Sequence, residues 1–66
     1  MEITVNNEVK TINDESLLSL THSILGDKTK GIAIAVNQTI IPKTDWEKTS
    51  LKTNDAVLII KATQGG

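Results

Sequence analysis

The sequence predicts an α+β fold in which one main helix covers one face of a mixed five-stranded sheet, with the elements in the order ββαβββ. Five short stretches rich in β-branched and apolar residues are separated by polar turns, and a single stretch has helical spacing. The apolar run at residues 57–60 is continuous, which is typical of a central strand buried on both faces. We therefore expect this last strand at the centre of the sheet.

The first two strands are predicted to form a hairpin. Ile3 and Val5 alternate with polar residues, and residues 8–12 again have a strand-like composition. Asn6 and Asn7 lie between them, and asparagine tolerates the positive φ values that a two-residue hairpin turn requires. We therefore expect a tight turn at this pair.

The helix is predicted to begin at Asn13, whose side chain can cap it, and to end at Gly26. Asp14 and Glu15 would lie in its first turn, where the helix dipole favours negative charge. Apolar residues recur at helical spacing through this stretch, which predicts a face packed on the sheet: Leu17, Leu18, Leu20, Ile24 and Leu25.

Residues 31–36 alternate large and small apolar side chains, which predicts a third strand with one bulky face and one shallow face. The shallow face, formed by Ala33 and Ala35, suits a covering segment or an approaching partner. The composition of residues 39–41 predicts a fourth strand. We expect it at an edge of the sheet, because Pro42 has no backbone N–H to donate to a central ladder.

Residues 43–51 have weak periodicity, which predicts an irregular or one-turn helical connection over the end of the core, with Trp46 and Leu51 as its large apolar residues. The polar turn that follows depends on Asn54, because asparagine can adopt a left-handed conformation. The last strand then begins at Ala56. Across the whole chain, the residues expected to be largely buried are Ile3, Val5, Leu17, Leu20, Ile24, Ile34, Val57 and Ile59.

One face of the predicted sheet has no helix to cover it. Because a single helix covers only one face, we expect the opposite face to stay partly apolar and to bind a partner together with the C-terminal tail. Ile40 and Leu58 are the residues expected to contribute, if their side chains point outward.

The composition disfavours several classes of function. A chain of 66 residues has no room for a deep catalytic cavity beside its core, so an enzyme acting alone is not expected. Its net charge is −1, and its seven basic residues form no stripe that could bind nucleic acid. It has no cysteine and no apolar run of membrane-spanning length, and its polar N-terminal segment is not expected to be a signal peptide. These features predict a cytoplasmic protein without membrane contact.

No side chain in the sequence predicts catalysis or metal binding. His22 is the only histidine and has no second ligand residue, the serines have no oriented base, and the acidic residues are explained by caps and turns. Trp46 is the sole aromatic residue, so a packing role is favoured over ligand stacking. We therefore expect neither a metal site nor an intrinsic cofactor.

The sequence ends in Gly65 and Gly66 after a short polar stretch. Small residues are common at frayed termini, which is the simpler explanation. A glycine pair also lacks side chains, so it can thread a narrow channel in a partner and adopt backbone angles closed to other residues. The reactive group would then be the carboxylate of Gly66, and residues 63–66 would form a flexible tail that orders only in that channel.

Taken together, these features resemble the ThiS family of sulfur carrier proteins in thiamine biosynthesis. They are the chain length, the hairpin and helix, residues 35–42 with the sequence Ala-Val-Asn-Gln-Thr-Ile-Ile-Pro, the position of Trp46, the buried last strand and the pair Gly65-Gly66. The resemblance covers residues 1–66 as one domain. It implies the ubiquitin-like β-grasp fold, with the first and last strands parallel at the centre of the sheet.

The resemblance also implies a carrier that is not itself an enzyme. An E1-like adenylyltransferase, similar to ThiF, would use ATP and Mg to adenylate the carboxylate of Gly66, and Gly65 would let the tail thread into its channel. Sulfur from a donor such as a cysteine desulfurase would then replace AMP. The resulting thiocarboxylate would donate sulfur to a thiazole synthase similar to ThiG.

Two alternatives stay open at this point. The small subunit of molybdopterin synthase also ends in Gly-Gly and uses the same chemistry, but members of that family usually have aromatic residues and prolines before the glycines. Residues 59–64 contain neither. The second alternative is a β-grasp binding module without covalent chemistry, whose function would be unaffected by residues added after Gly66.

Overall fold

The computed structural model describes residues 1–61, and its element order confirms the predicted ββαβββ arrangement. The helix α1 spans Leu17–Leu25, and the connection before the last strand contains a 3-10 helix, Lys43–Lys48. The strands are β1 (Glu2–Val5), β2 (Glu8–Thr11), β3 (Ile32–Val36), β4 (Thr39–Ile41) and β5 (Ala56–Lys61).

The five strands form one mixed sheet in the order β2-β1-β5-β3-β4. β5 lies at its centre, as the apolar run predicts, parallel to β1 on one side and antiparallel to β3 on the other. β4 lies at an edge, which confirms the prediction made from Pro42. The first and last strands are therefore neighbours in the middle of the sheet.

The turns between consecutive strands contain asparagine residues with positive φ, including the predicted Asn6, Asn7 and Asn54. Asn6 and Asn7 have φ values of 50° and 70°, and Asn37 and Gln38 have values of 51° and 72°. Asn54, in the turn before β5, has a φ of 73°. These backbone angles lie in the left-handed region, which asparagine visits more readily than most residues.

The core lies between α1 and the face of the sheet that this helix covers. Trp46 and Leu51 reach it from the connection before β5 and are each 1% exposed. Thr21 is also buried, which the sequence did not indicate, and its Oγ1 donates a hydrogen bond to the Leu17 carbonyl at 2.9 Å. Of the residues predicted to be buried, the structure confirms Ile3, Val5, Leu17, Leu20, Ile34 and Val57.

The remaining two predicted core residues and the prediction for β5 need correction. Ile24 is 37% exposed, and Ile59 is only half-buried. The prediction that β5 is buried on both faces was wrong, because Leu58 and Ile60 are 44% and 41% exposed. Successive side chains of a strand point to opposite faces of the sheet, and α1 covers only one of them. The even-numbered residues of β5 therefore lie on the uncovered face.

The helix begins later than predicted. Its N-cap is Ser16 rather than Asn13, and the Ser16 Oγ accepts a hydrogen bond from the Ser19 amide at 3.3 Å. Asp14 lies outside the helix, where its Oδ1 accepts from the Ser16 amide at 2.9 Å. The C-terminal end was predicted correctly, since Gly26 caps the helix with a φ of 60°.

Backbone pairing with a distant segment explains this late start. The Leu51 amide donates to the Glu15 carbonyl at 2.6 Å, and the Leu17 amide donates to the Thr49 carbonyl at 3.1 Å. These bonds require extended backbone just before the helix, so the first turn cannot form at Asn13. No helix within the part of the chain that the structure describes is long and apolar enough to cross a membrane.

Candidate functional site

The predicted reactive residues, Gly65 and Gly66, and the predicted flexible tail at residues 63–66 lie outside the described residues. The structure instead defines the strand that leads to them. β5 ends at Lys61, and its position in the sheet determines where the described part of the chain ends.

Backbone hydrogen bonds hold β5 on both sides. β3 pairs with it along residues 57–61. On the other side, the Thr4 amide donates to the Asp55 carbonyl at 3.0 Å, and the Asn6 amide donates to the Val57 carbonyl at 2.9 Å. β5 is therefore fixed between two neighbours over its first half.

The Asn6 side chain extends this anchoring beyond the end of β1. The chain turns away at Asn6, so its backbone cannot continue the parallel ladder. Its Oδ1 accepts a hydrogen bond from the Ile59 amide at 2.8 Å instead. Asn6 therefore has two roles, a left-handed turn residue and an acceptor for the central strand, of which the sequence indicated only the first.

The uncovered face of the sheet is apolar around β3, β4 and β5. Ile40 is 57% exposed, and the strand register places it on one side of Ala35 with Leu58 on the other. Ile60 lies opposite Ala33 in the same way. Because the alanine side chains are short, the larger side chains stand around a shallow surface. Ile40 and Leu58 are both exposed on the uncovered face, so the condition under which they were expected to contribute to a partner surface is met.

The surface continues toward the hairpin. A depression of about 190 Å³ is lined by residues that include Thr4, Ala35 and Leu58. Val9 of β2 is 68% exposed and lies opposite Thr4 of β1. Sequence reasoning did not assign Val9 or Ile60 to this face, although counting every second residue from Leu58 leads to Ile60.

Trp46 has the packing role that the sequence favoured. Its indole Nε1 donates to the Ile41 carbonyl at 2.9 Å, and the side chain is 1% exposed. The Lys43 ammonium lies 6.0 Å from the centre of the ring. The indole therefore joins the 3-10 helix to the end of β4.

The other candidate side chains are distributed over the surface. His22 is exposed on α1, and it lines a groove with Trp46 and Lys43. Two of the acidic residues have turn or capping roles, since Asp14 and Asp55 accept hydrogen bonds from backbone amides. Within residues 1–61 there is no group of three or more His, Cys, Asp or Glu side chains that could hold a metal ion.

Comparisons with known proteins agree with the topology. The model of the ThiS family matches residues 3–66. The crystal structure of the thiamine biosynthesis protein ThiS from Geobacter metallireducens is similar to this chain, with a TM-score of 0.85 at 20% sequence identity and 100% of each chain covered. The likeness shows that the mixed five-stranded sheet with one main helix is the ubiquitin-like β-grasp fold. No curated protein matches the chain.

Proposed function

The chain belongs to the ThiS family, and from that premise we propose that it performs a sulfur-carrier role in thiamine biosynthesis through the carboxylate of Gly66. The observation that supports this most strongly is the extent of the family match, which includes Gly65 and Gly66. In this proposal the chain is a protein cosubstrate, and its partners supply the catalytic groups.

The proposed first step activates the carboxylate. A carboxylate oxygen of Gly66 attacks the α-phosphorus of ATP in an E1-like adenylyltransferase similar to ThiF, which forms an acyl adenylate and releases pyrophosphate. Mg in that enzyme would neutralise the phosphate charge. The step is needed because an oxide is a poor leaving group, whereas AMP is a good one.

The proposed second step introduces sulfur. A persulfide, formed by a donor such as a cysteine desulfurase, attacks the acyl carbon, and AMP leaves. A thiol then reduces the acyl disulfide, which yields the thiocarboxylate and a new disulfide. The thiocarboxylate sulfur is a nucleophile, and we propose that a thiazole synthase similar to ThiG accepts it.

The open apolar face offers a binding surface for such partners. Ile40, Leu58 and Ile60 expose large aliphatic side chains on the face opposite α1. Large exposed apolar residues that share one face of a sheet are typical of protein interaction sites. Because β5 contributes two of them, a partner on this face would also lie close to Lys61, the residue at which β5 ends.

Intact-mass spectrometry tests the proposal. The protein is incubated with ATP, a ThiF-like adenylyltransferase, a cysteine desulfurase and cysteine, and exchange of one oxygen for sulfur adds about 16 Da. A variant that lacks Gly65 and Gly66 is the matched control and should gain no mass. A mass gain in that control would place the sulfur elsewhere. An unchanged mass for the full chain, with each enzyme active on its own substrate, would favour the binding-module alternative.

A further inference from the structure

Three lysines surround an apolar surface at the end of the sheet where β5 finishes. Lys28, Lys30 and Lys61 line a depression of about 410 Å³ together with Leu25 and Ile32. Lys61 is the last residue of β5 and pairs with Ile32, whereas Lys28 and Lys30 lie in the loop between α1 and β3. We name this set of five residues the lysine rim.

The composition of the lysine rim indicates the chemistry of its partner. Its three lysines are exposed, whereas Leu25 and Ile32 are half-buried, and we call these two residues its apolar floor. Asp27 precedes the first lysine, but it does not line the depression. Like charges gathered around one depression repel each other, so the arrangement is complementary to a negatively charged group.

Two properties favour a protein over a nucleotide or a nucleic acid. The chain has a net charge of −1, so it has no general excess of positive charge that would attract a nucleic acid. The apolar floor suits an aliphatic or aromatic side chain, which a phosphate group does not provide. A protein segment that combines carboxylates with an apolar side chain matches both parts of the lysine rim.

Building on the proposed function, we propose that the lysine rim binds an acidic segment of the adenylyltransferase beside the channel that receives the tail. Lys61 is separated from Gly66 only by residues 62–65. Five residue steps span at most about 17 Å of extended chain. An enzyme that holds Gly66 at its ATP must therefore approach the lysine rim.

The expected effect is on binding and not on the chemical step. Charges at the rim of an interface change the association rate and its dependence on salt, and the lysines do not touch the reacting atoms. Their removal should therefore raise the KM for the carrier and leave kcat unchanged.

Two triple variants separate this effect from a change in net charge. The test variant is Lys28→Gln/Lys30→Gln/Lys61→Gln, and the matched control replaces the same number of lysines elsewhere on the surface: Lys10→Gln, Lys48→Gln and Lys52→Gln. ATP–pyrophosphate exchange is measured with a ThiF-like adenylyltransferase. We expect the KM of the test variant to rise about tenfold and that of the control by less than about twofold. Added salt should reduce kcat/KM for the wild type and the control more steeply than for the test variant.

The outcomes distinguish this inference from the proposed function. If the wild type supports no exchange with an enzyme that activates its own carrier, both are overturned. If it supports exchange and the two triple variants have the same KM, only the lysine rim is overturned. A charge-preserving variant, Lys28→Arg/Lys30→Arg/Lys61→Arg, should keep the wild-type KM. Calorimetric titration of Mg-ATP into the carrier alone should give no binding. If the wild type binds Mg-ATP and the test variant does not, the lysine rim is a phosphate site and the inference is overturned.

Discussion

Asn37 and Asp55 are joined by a hydrogen bond from the Asn37 Nδ2 to the Asp55 Oδ1 at 2.9 Å, across a sequence separation of 18 residues. The Asn37 Oδ1 accepts from the Ala56 amide at 2.9 Å, and the Asp55 Oδ2 accepts from the Lys52 amide at 2.8 Å. The two side chains therefore join the turn after β3 to the turn before β5. They determine where the central strand begins.

We predict that Asn37→Ala lowers the free energy of unfolding by about 1–2 kcal/mol, because two side-chain hydrogen bonds are lost and alanine is strained at a φ of 51°. Asn37→Gly loses the same hydrogen bonds without that strain, so it should cost less. Urea denaturation of both variants measures the difference. Equal stability of Asn37→Ala and the wild type would show that the pair does not hold β5.

Two of the apolar positions on α1, Leu20 and Ile24, provide a test of the observed core. Leu20 is 6% exposed and Ile24 is 37% exposed, although the sequence predicted burial for both. We expect Leu20→Ala to cost about 2–5 kcal/mol and Ile24→Ala less than about 1 kcal/mol. The comparison requires only chemical denaturation of the two variants. Similar losses at both positions would contradict the observed orientation of the helix.

Trp46 should contribute to stability through its packing and its hydrogen bond. Trp46→Phe leaves the Ile41 carbonyl without the indole donor and reduces the packed volume, so we expect a loss of about 2–3 kcal/mol. Lys43→Met, which removes the cation near the ring, should cost less than about 1 kcal/mol because the ammonium is solvent-exposed. Thermal unfolding, monitored by circular dichroism, measures the stability of both variants. A larger loss for Lys43→Met would assign the stabilisation to the cation instead.

The open face is tested by placing the same charge on either side of the molecule. Leu58→Glu introduces a carboxylate on the uncovered face, and Ile24→Glu introduces one on α1 at a similarly exposed position. We expect Leu58→Glu to weaken binding to a ThiF-like adenylyltransferase by more than about tenfold and Ile24→Glu by less than about threefold. Calorimetric titration gives both affinities. Equal affinities for two folded variants would place the partner elsewhere.

Local signals in the sequence determine much of this fold. The left-handed turns at Asn6, Asn37 and Asn54 depend on one or two residues each, so they could be predicted without knowledge of the rest of the chain. The end of α1 at Gly26 can also be predicted locally, because a single glycine with positive φ is enough to end a helix. The apolar run in β5 also predicted its central position correctly.

Other features depend on partners distant in the chain. The helix starts after Ser16 because residues 15–17 bond to residues 49–51, which no local pattern reveals. Leu58 and Ile60 resemble the buried residues of β5 in composition, and only the position of α1 decides which face stays open. The lysine rim likewise joins a loop to the end of a strand. Side chains from separate elements meet there only after folding.

The parallel pairing of β1 with β5 also determines when the centre of the sheet can form during synthesis. Thr4 pairs with Ala56, and Val5 pairs with Val57, so the centre of the sheet joins residues from opposite parts of the sequence. During synthesis, β1 and β2 leave the ribosome long before β5, and the gap beside β1 stays unfilled until residue 57 has emerged. Contacts of such long sequence separation slow folding. The backbone groups along this edge of β1 therefore lack their partners until the last strand has emerged.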